Sequence, residues 1–189
     1  MAAPLNVKVI VGSVREGRMS LPVARWVMEQ IAARSDFAAE LLDLAEWNLP
    51  MFAEPNPPGT GKYTGVKQRE WAAAIGAADG FILVAPEYNH GVSAVLKNAL
   101  DTVYAEWGRK PVAFVAHGGM GGARSVEQLR QVTVELGMAP LRSAVHLQGA
   151  GKLREGDRFN AGEDENRRLA KLFAELDWWG GALRAARDA

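Results

Sequence analysis

Cysteine is absent from this 189-residue chain. Its absence removes disulfides, thiol nucleophiles and thiolate metal sites together, and leaves the redox compartment undetermined. Any redox chemistry then has to come from a bound cofactor. Net charge is missing too, because 22 basic and 22 acidic side chains cancel. A field strong enough to hold nucleic acid or an anionic membrane is not expected. Weak colloidal repulsion fits a protein that buries surface in an oligomer. No stretch approaches the roughly 18 apolar residues that span a bilayer. The N-terminal Met1–Asn6 lacks the basic region of a signal peptide, so a cytoplasmic location is the expectation. Histidines are few: His90, His117 and His146 give no pair on one helix face, and no metal site is expected.

What the chain does have is alternation. Short, continuous apolar runs at Val7–Val11, Phe81–Ala85, Val112–Ala116 and Ala144–Leu147, with a weaker one at Ala39–Leu44, suit strands covered on both faces. Helical patterns fall between and after them, at Pro22–Ala33, Val66–Ala77, Ser93–Trp107, Ser125–Leu136 and Glu163–Arg187. This βαβ rhythm predicts an α/β fold: a three-layer sandwich around a five-stranded parallel sheet, in one domain over 1–189. Trp26, Trp47, Trp71 and Trp107 read as core or interface. Trp178-Trp179-Gly180-Gly181 reads as packing at a helix end or an oligomer contact. The Pro- and Gly-rich stretch Glu46–Gly65 is long for a loop in a compact domain, and predicts a surface excursion that rims a site or an interface.

Ligands of such sheets sit beyond the carboxyl ends of the strands, where the strand order reverses. Three loops there are chemically unusual. The first, Gly12–Ser20, offers the hydroxyls of Ser13 and Ser20, backbone amides, a helix N-terminus and the forked cations of Arg15 and Arg18, which together suit a phosphate. It has neither the dinucleotide Gly-x-Gly-x-x-Gly nor a Walker Gly-Lys-Ser/Thr. The plainer reading is a polar turn with a serine cap and two solvated arginines. The second loop, Pro86-Glu87-Tyr88-Asn89-His90-Gly91, ends a strand with proline and presents an aromatic face beside a carboxamide, a composition also common in ordinary turns. The third, His117–Arg124, holds Gly118, Gly119, Gly121 and Gly122. So dense a run of glycine loses much entropy on folding, and suits backbone amides that must come close to a ligand.

Together these loops resemble those of the NADPH-dependent FMN reductase family. Gly12-Ser13-x-Arg15-x-Gly17-Arg18 followed by Val23-Ala24-x-Trp26 is similar to that family's phosphate loop and first helix. Pro86-Glu87-Tyr88-Asn89-His90-Gly91-x-Ser93-x-x-Leu96-Lys97-Asn98-Ala99-Leu100-Asp101 resembles its most distinctive segment, and Gly118-Gly119-x-Gly121-Gly122-x-Arg124 its third flavin loop. Asp43-Leu44 and Leu49-Pro50-Met51-Phe52 also fit, so the resemblance spans residues 7–150. It implies a flavodoxin-like fold, non-covalent FMN, and two-electron transfer from NADPH or NADH to flavins, quinones or similar small acceptors. It also implies a homodimer or homotetramer. Matched by position, Ser13, Arg15, Arg18 and Ser20 would hold the phosphate. Pro86, Glu87, Tyr88 and Asn89 would line the ribityl chain and ring, and His117, Gly118, Gly119 and Gly122 would approach the ring edge. No side chain is expected to act as acid or base, since the flavin carries the chemistry. A flavodoxin-type electron carrier and a non-enzymatic flavin-binding module are the alternatives on the same fold.

Overall fold

A computed structural model describes residues 3–189; Met1 and Ala2 of the N-terminal stretch lie outside the described residues. Five strands, β1 (Leu5–Val11), β2 (Phe37–Asp43), β3 (Gly80–Pro86), β4 (Pro111–Gly118) and β5 (Ala139–Gln148), pair in the order β2-β1-β3-β4-β5. Every pairing is parallel. This is the expected flavodoxin-like arrangement. The order reverses between β1 and β3, which places the switch point at the loops after those strands.

The central strands carry no alternation because helices cover both faces. β3 is buried throughout. On one face, α1 (Ser20–Ala32) and α6 (Glu163–Asp188) pack over Val7, Val9, Val11, Ile82 and Val84. On the other, α3 (Val66–Gly76), α4 (Ala94–Asp101) and α5 (Ala123–Glu135) enclose Ile10, Leu83, Ala85, Phe114 and a row of aromatic rings. In that row Trp47, Trp71, Trp107 and Phe81 contact edge to face, with centroids 5.0, 6.2 and 4.8 Å apart. The core reading of Trp71 and Trp107 therefore holds. Trp26 joins the opposite core, 5.2 Å from Phe159.

Several boundaries differ from those the sequence suggests. The helix expected over Ser93–Trp107 stops at Asp101, and Ala105–Trp107 forms a separate 3-10 turn. Its last carbonyls take donors from outside the ladder: the Trp107 indole reaches Leu100 O and Val103 O at 3.1 Å, and Gln68 reaches Thr102 O at 2.9 Å. β5 begins at Ala139, earlier than its apolar core, because an irregularity opposite Val112–Phe114 lets an edge strand accept Pro140. A short helix α2 (Leu44–Trp47) is capped by Asp43, whose side chain accepts from Ala45 N. A small hairpin, β6 (Arg154–Glu155) with β7 (Arg158–Phe159), follows β5.

The tryptophan pair near the C-terminus does not pack into a helix end. Trp178 and Trp179 are 66% and 40% exposed on the outer side of α6. Gly180 beside them is buried, and a Cβ there would lie 2.6 Å from Leu5 Cδ1, so glycine is what lets α6 approach β1.

Candidate functional site

The three loops meet beyond the carboxyl ends of β1, β3 and β4, and side chains tie them together. Ser13 and Ser20 are fully buried. Ser13 Oγ lies 2.6 Å from the Tyr88 hydroxyl, and Ser20 Oγ lies 2.9 Å from His117 Nε2. The first loop is thus joined once to the second and once to the third. Ser13 Oγ also accepts from Arg15 N at 3.4 Å, which fixes the start of the loop.

The two arginines of the first loop part company. Arg15 stays exposed, its guanidinium 5.4 Å above the Tyr88 ring, and it has no carboxylate partner among the described residues. Arg18 turns away and places Nη2 2.5 Å from Asp43 Oδ2. Asp43 is only 4% exposed, so it needs that counter-charge. Spacing groups both arginines as phosphate donors; in the structure Arg15 alone offers an unpaired fork.

The second loop is a tight turn. Tyr88 and Gly91 exchange backbone hydrogen bonds at 3.0 Å, and Asn89 and His90 between them take the left-handed φ values of 49° and 68°. Such a conformation is costly for a side chain-bearing residue. Gln128 of α5 braces it, donating to His90 O at 3.1 Å and accepting from Val92 N at 3.2 Å. Glu87 does not face outward. Its carboxylate accepts from Arg124 Nε at 2.8 Å and from Arg124 N at 3.0 Å, which locks the second loop to the start of α5. Pro86, Tyr88 and Asn89 remain at the sheet edge, where the sequence places them.

In the third loop the glycines serve two purposes. Gly122 has φ 76°, and a Cβ there would lie 2.6 Å from Ala116 Cβ and 2.8 Å from His117 N. No other residue fits. Around Gly119, by contrast, a Cβ would meet nothing within 4 Å, so that residue faces open space. His117, which starts the loop, is 8% exposed, and burial pushes its imidazole from 6.5 down to about 4. It is therefore neutral at neutral pH, and acts at Ser20 as a hydrogen-bond partner without charge.

A cleft of about 640 Å³ opens beside this loop, lined by Met19, His117–Gly119 and Gln148–Lys152. Its far wall, the segment after β5, is a part of the site that the three-loop reading missed. The signal was present as Gly149-Ala150-Gly151-Lys152. The Glu46–Gly65 excursion is held down by Asn98, which donates to Pro50 O at 2.9 Å and accepts from Phe52 N at 2.7 Å. Asn98 is thus an anchor for that stretch, while Lys97 and Asp101 form an exposed i,i+4 pair.

The profile of the family described as NADPH-dependent FMN reductase matches residues 5–152. The chain belongs to that family. Among its curated relatives, an NAD(P)H-dependent FMN reductase of Schizosaccharomyces pombe is 41% identical over 146 residues, covering 75% of this chain and 73% of the relative. A quinone reductase of Pseudomonas putida is 32% identical over 167 residues, 82% of this chain and 84% of its own. Among solved structures, the FerB flavoenzyme NAD(P)H:(acceptor) oxidoreductase of Paracoccus denitrificans superposes with a TM-score of 0.74 at 19% identity, covering 93% of this chain and 97% of that one. That last likeness speaks to the fold.

This FMN reductase family member is an oxidoreductase, and its own residues fit a phosphorylated flat ligand. The exposed, unpaired Arg15 suits a phosphate, while Ser13 and Ser20, fully buried, tie its loop to the other two. Open space at Gly119 and the exposed backbone around it suit the edge of a planar ring. No helix among the described residues is long and apolar enough to cross a membrane.

Proposed function

We propose that the protein is an NAD(P)H-dependent FMN reductase that passes two electrons through bound FMN to a flavin, quinone or similar small acceptor. The observation that carries this reading is the joining of three loops at the switch point by the Ser13–Tyr88 and Ser20–His117 bonds. FMN, when bound, supplies the hydride-accepting and electron-donating chemistry.

Everything else is done by this chain. Arg15 holds the phosphate on a loop that Ser13 and Ser20 fix in place, with Arg18 behind it neutralising Asp43. Tyr88 and Asn89 line the ribityl chain and ring, on a turn set by Pro86, Glu87 and Gln128. Gly118 and Gly119 bring backbone close to the ring edge, and Gly122 turns the chain into α5. Neutral His117 orients the Ser20 hydroxyl without adding charge. With FMN bound, donor and acceptor would be admitted in turn at the same opening between these loops, which would give ping-pong kinetics. We further propose a cytoplasmic homodimer or homotetramer, supported by the exposed aromatic pair Trp178 and Trp179.

The test is a visible spectrum of the purified protein, then NADPH oxidation with FMN and with a quinone. Flavin absorbance with parallel lines in double-reciprocal plots is the expected result. A colourless protein that does not oxidise NADPH when FMN is supplied would sink the reading. Flavin absorbance without nicotinamide turnover would favour a carrier or binding module. Light scattering on the eluted protein checks the oligomer.

A further inference from the structure

The cleft beside the third loop has a chemical character of its own. No carboxylate lines it, its one histidine is neutral, and Lys152 is its one charged side chain. Both walls are glycine-rich and expose backbone. A Cβ at Gly119 or at Gly151 would meet nothing within 4 Å. Lys152 is exposed and has no acidic partner among the described residues, whereas the neighbouring cations are engaged. Arg18 is paired with Asp43 and Arg124 with Glu87. Arg154 donates to Gly17 O at 2.6 Å and to Gly156 O at 2.7 Å.

The Arg154–Gly17 bond also ties the segment after β5 to the phosphate loop, which contributes Met19 to the cleft. The cleft therefore runs from the flavin loops outward toward one unpaired ammonium. A smaller cavity of about 220 Å³ touches the other side of the first loop, at Val14, Leu44, Leu49 and Met51, and carries no charged lining residue. Of the two cavities, only the larger suits an anion.

We propose that this cleft seats the phosphate-bearing part of the nicotinamide dinucleotide donor, with the Lys152 ammonium as its cationic contact. The assignment rests on the reductase reading above and adds to it a residue that determines donor affinity. The phosphate of the flavin, at Arg15, and the phosphates of the donor, at Lys152, are held by different cations. The donor thus enters and leaves without disturbing the cofactor. The phosphate contacted is either the 2′-phosphate or the pyrophosphate, and comparing the two nicotinamide donors separates them.

The FMN-loaded protein and its Lys152→Gln and Lys152→Arg variants would be compared in three measurements: KM for NADPH and NADH, calorimetric titration with NADP+, and FMN affinity by fluorescence. Lys152→Gln should raise the donor KM roughly ten-fold, the loss of one charged hydrogen bond. It should weaken NADP+ equally, fall on KM and not on kcat, and shrink at high ionic strength. Lys152→Arg should stay near wild type. A rise for NADPH alone assigns the 2′-phosphate; an equal rise for both donors assigns the pyrophosphate. An unchanged KM and NADP+ affinity would overturn the proposal, as would a parallel loss of FMN affinity, which would give Lys152 to the cofactor. A wild-type protein that binds NADP+ through Lys152 yet never oxidises NADPH would refute the reductase reading alone.

Discussion

The first and third loops lie at the same sheet edge but keep their shapes by different means. The first is tied down mainly by side chains: Ser13 and Ser20 are buried and bonded across to other loops, and Arg18 is spent on Asp43. Even so, Gly12 at its start leaves no room for a Cβ against Val84 O, and Gly17 takes φ 66°. The third is shaped by its backbone, with Gly121 and Gly122 at φ 65° and 76°. A side chain-built loop can lose one group and keep its course. A loop built on left-handed glycine cannot take a Cβ where the backbone is already in contact. Neighbouring residues of one motif therefore differ sharply in what they tolerate.

The contrast is broken most severely at Gly122. Gly122→Ala combines a left-handed φ with contacts of 2.6 and 2.8 Å to β4, and should cost about 4 kcal/mol of stability in urea unfolding. Gly119→Ala, three residues earlier, should change stability by less than about 0.5 kcal/mol while weakening FMN. If the two substitutions cost the same, backbone shape is not what distinguishes them.

Acid tests the joint between the two loops. His117 is held neutral in the fold, about 4 against 6.5, so the unfolded chain takes up a proton that the folded chain refuses. The stability is full above pH 6.5 and is lost as the pH falls toward 4, by up to about 3 kcal/mol. Urea midpoints between about pH 7.5 and 4.5 should fall less steeply in His117→Gln than in the wild type.

The two arginines sharpen the comparison within the first loop. Arg18→Ala leaves Asp43 buried without its counter-charge, and should cost about 2 kcal/mol of stability, reduced from the fully buried case because Arg18 is partly solvated. Arg15→Ala should leave unfolding nearly unchanged. It should weaken FMN much more than riboflavin, by roughly 1.5–3 kcal/mol, in parallel flavin titrations. Equal weakening of both flavins would remove Arg15 from the phosphate. A smaller loss is expected at Gln128→Ala, about 1 kcal/mol of stability, partly recovered by His90→Gly because glycine accepts the left-handed φ without strain.

Sequence alone determined the layers, the parallel sheet and the three loops, because apolar runs covered on both faces and glycine clusters after strands are local signals. The absence of cysteine likewise confined redox chemistry to a bound cofactor, since composition needs no fold to be read. Partner choice is not local, and only the tertiary structure decided it. Arg15 and Arg18 are three residues apart and chemically identical, yet a buried carboxylate on β2 claims one and leaves the other free. Glu87 reads as a lining residue until Arg124 is placed beside it, and the role of Asn98 as an anchor appears only when Pro50 and Phe52 meet it. Lys152 stands after an edge strand whose length a bulge conceals, so its place opposite the glycine loop appears only once β5 is paired with β4. Periodicity reports which face of an element is buried. Which charge meets which depends on contacts between segments far apart in the chain, and those arise only when the sheet closes.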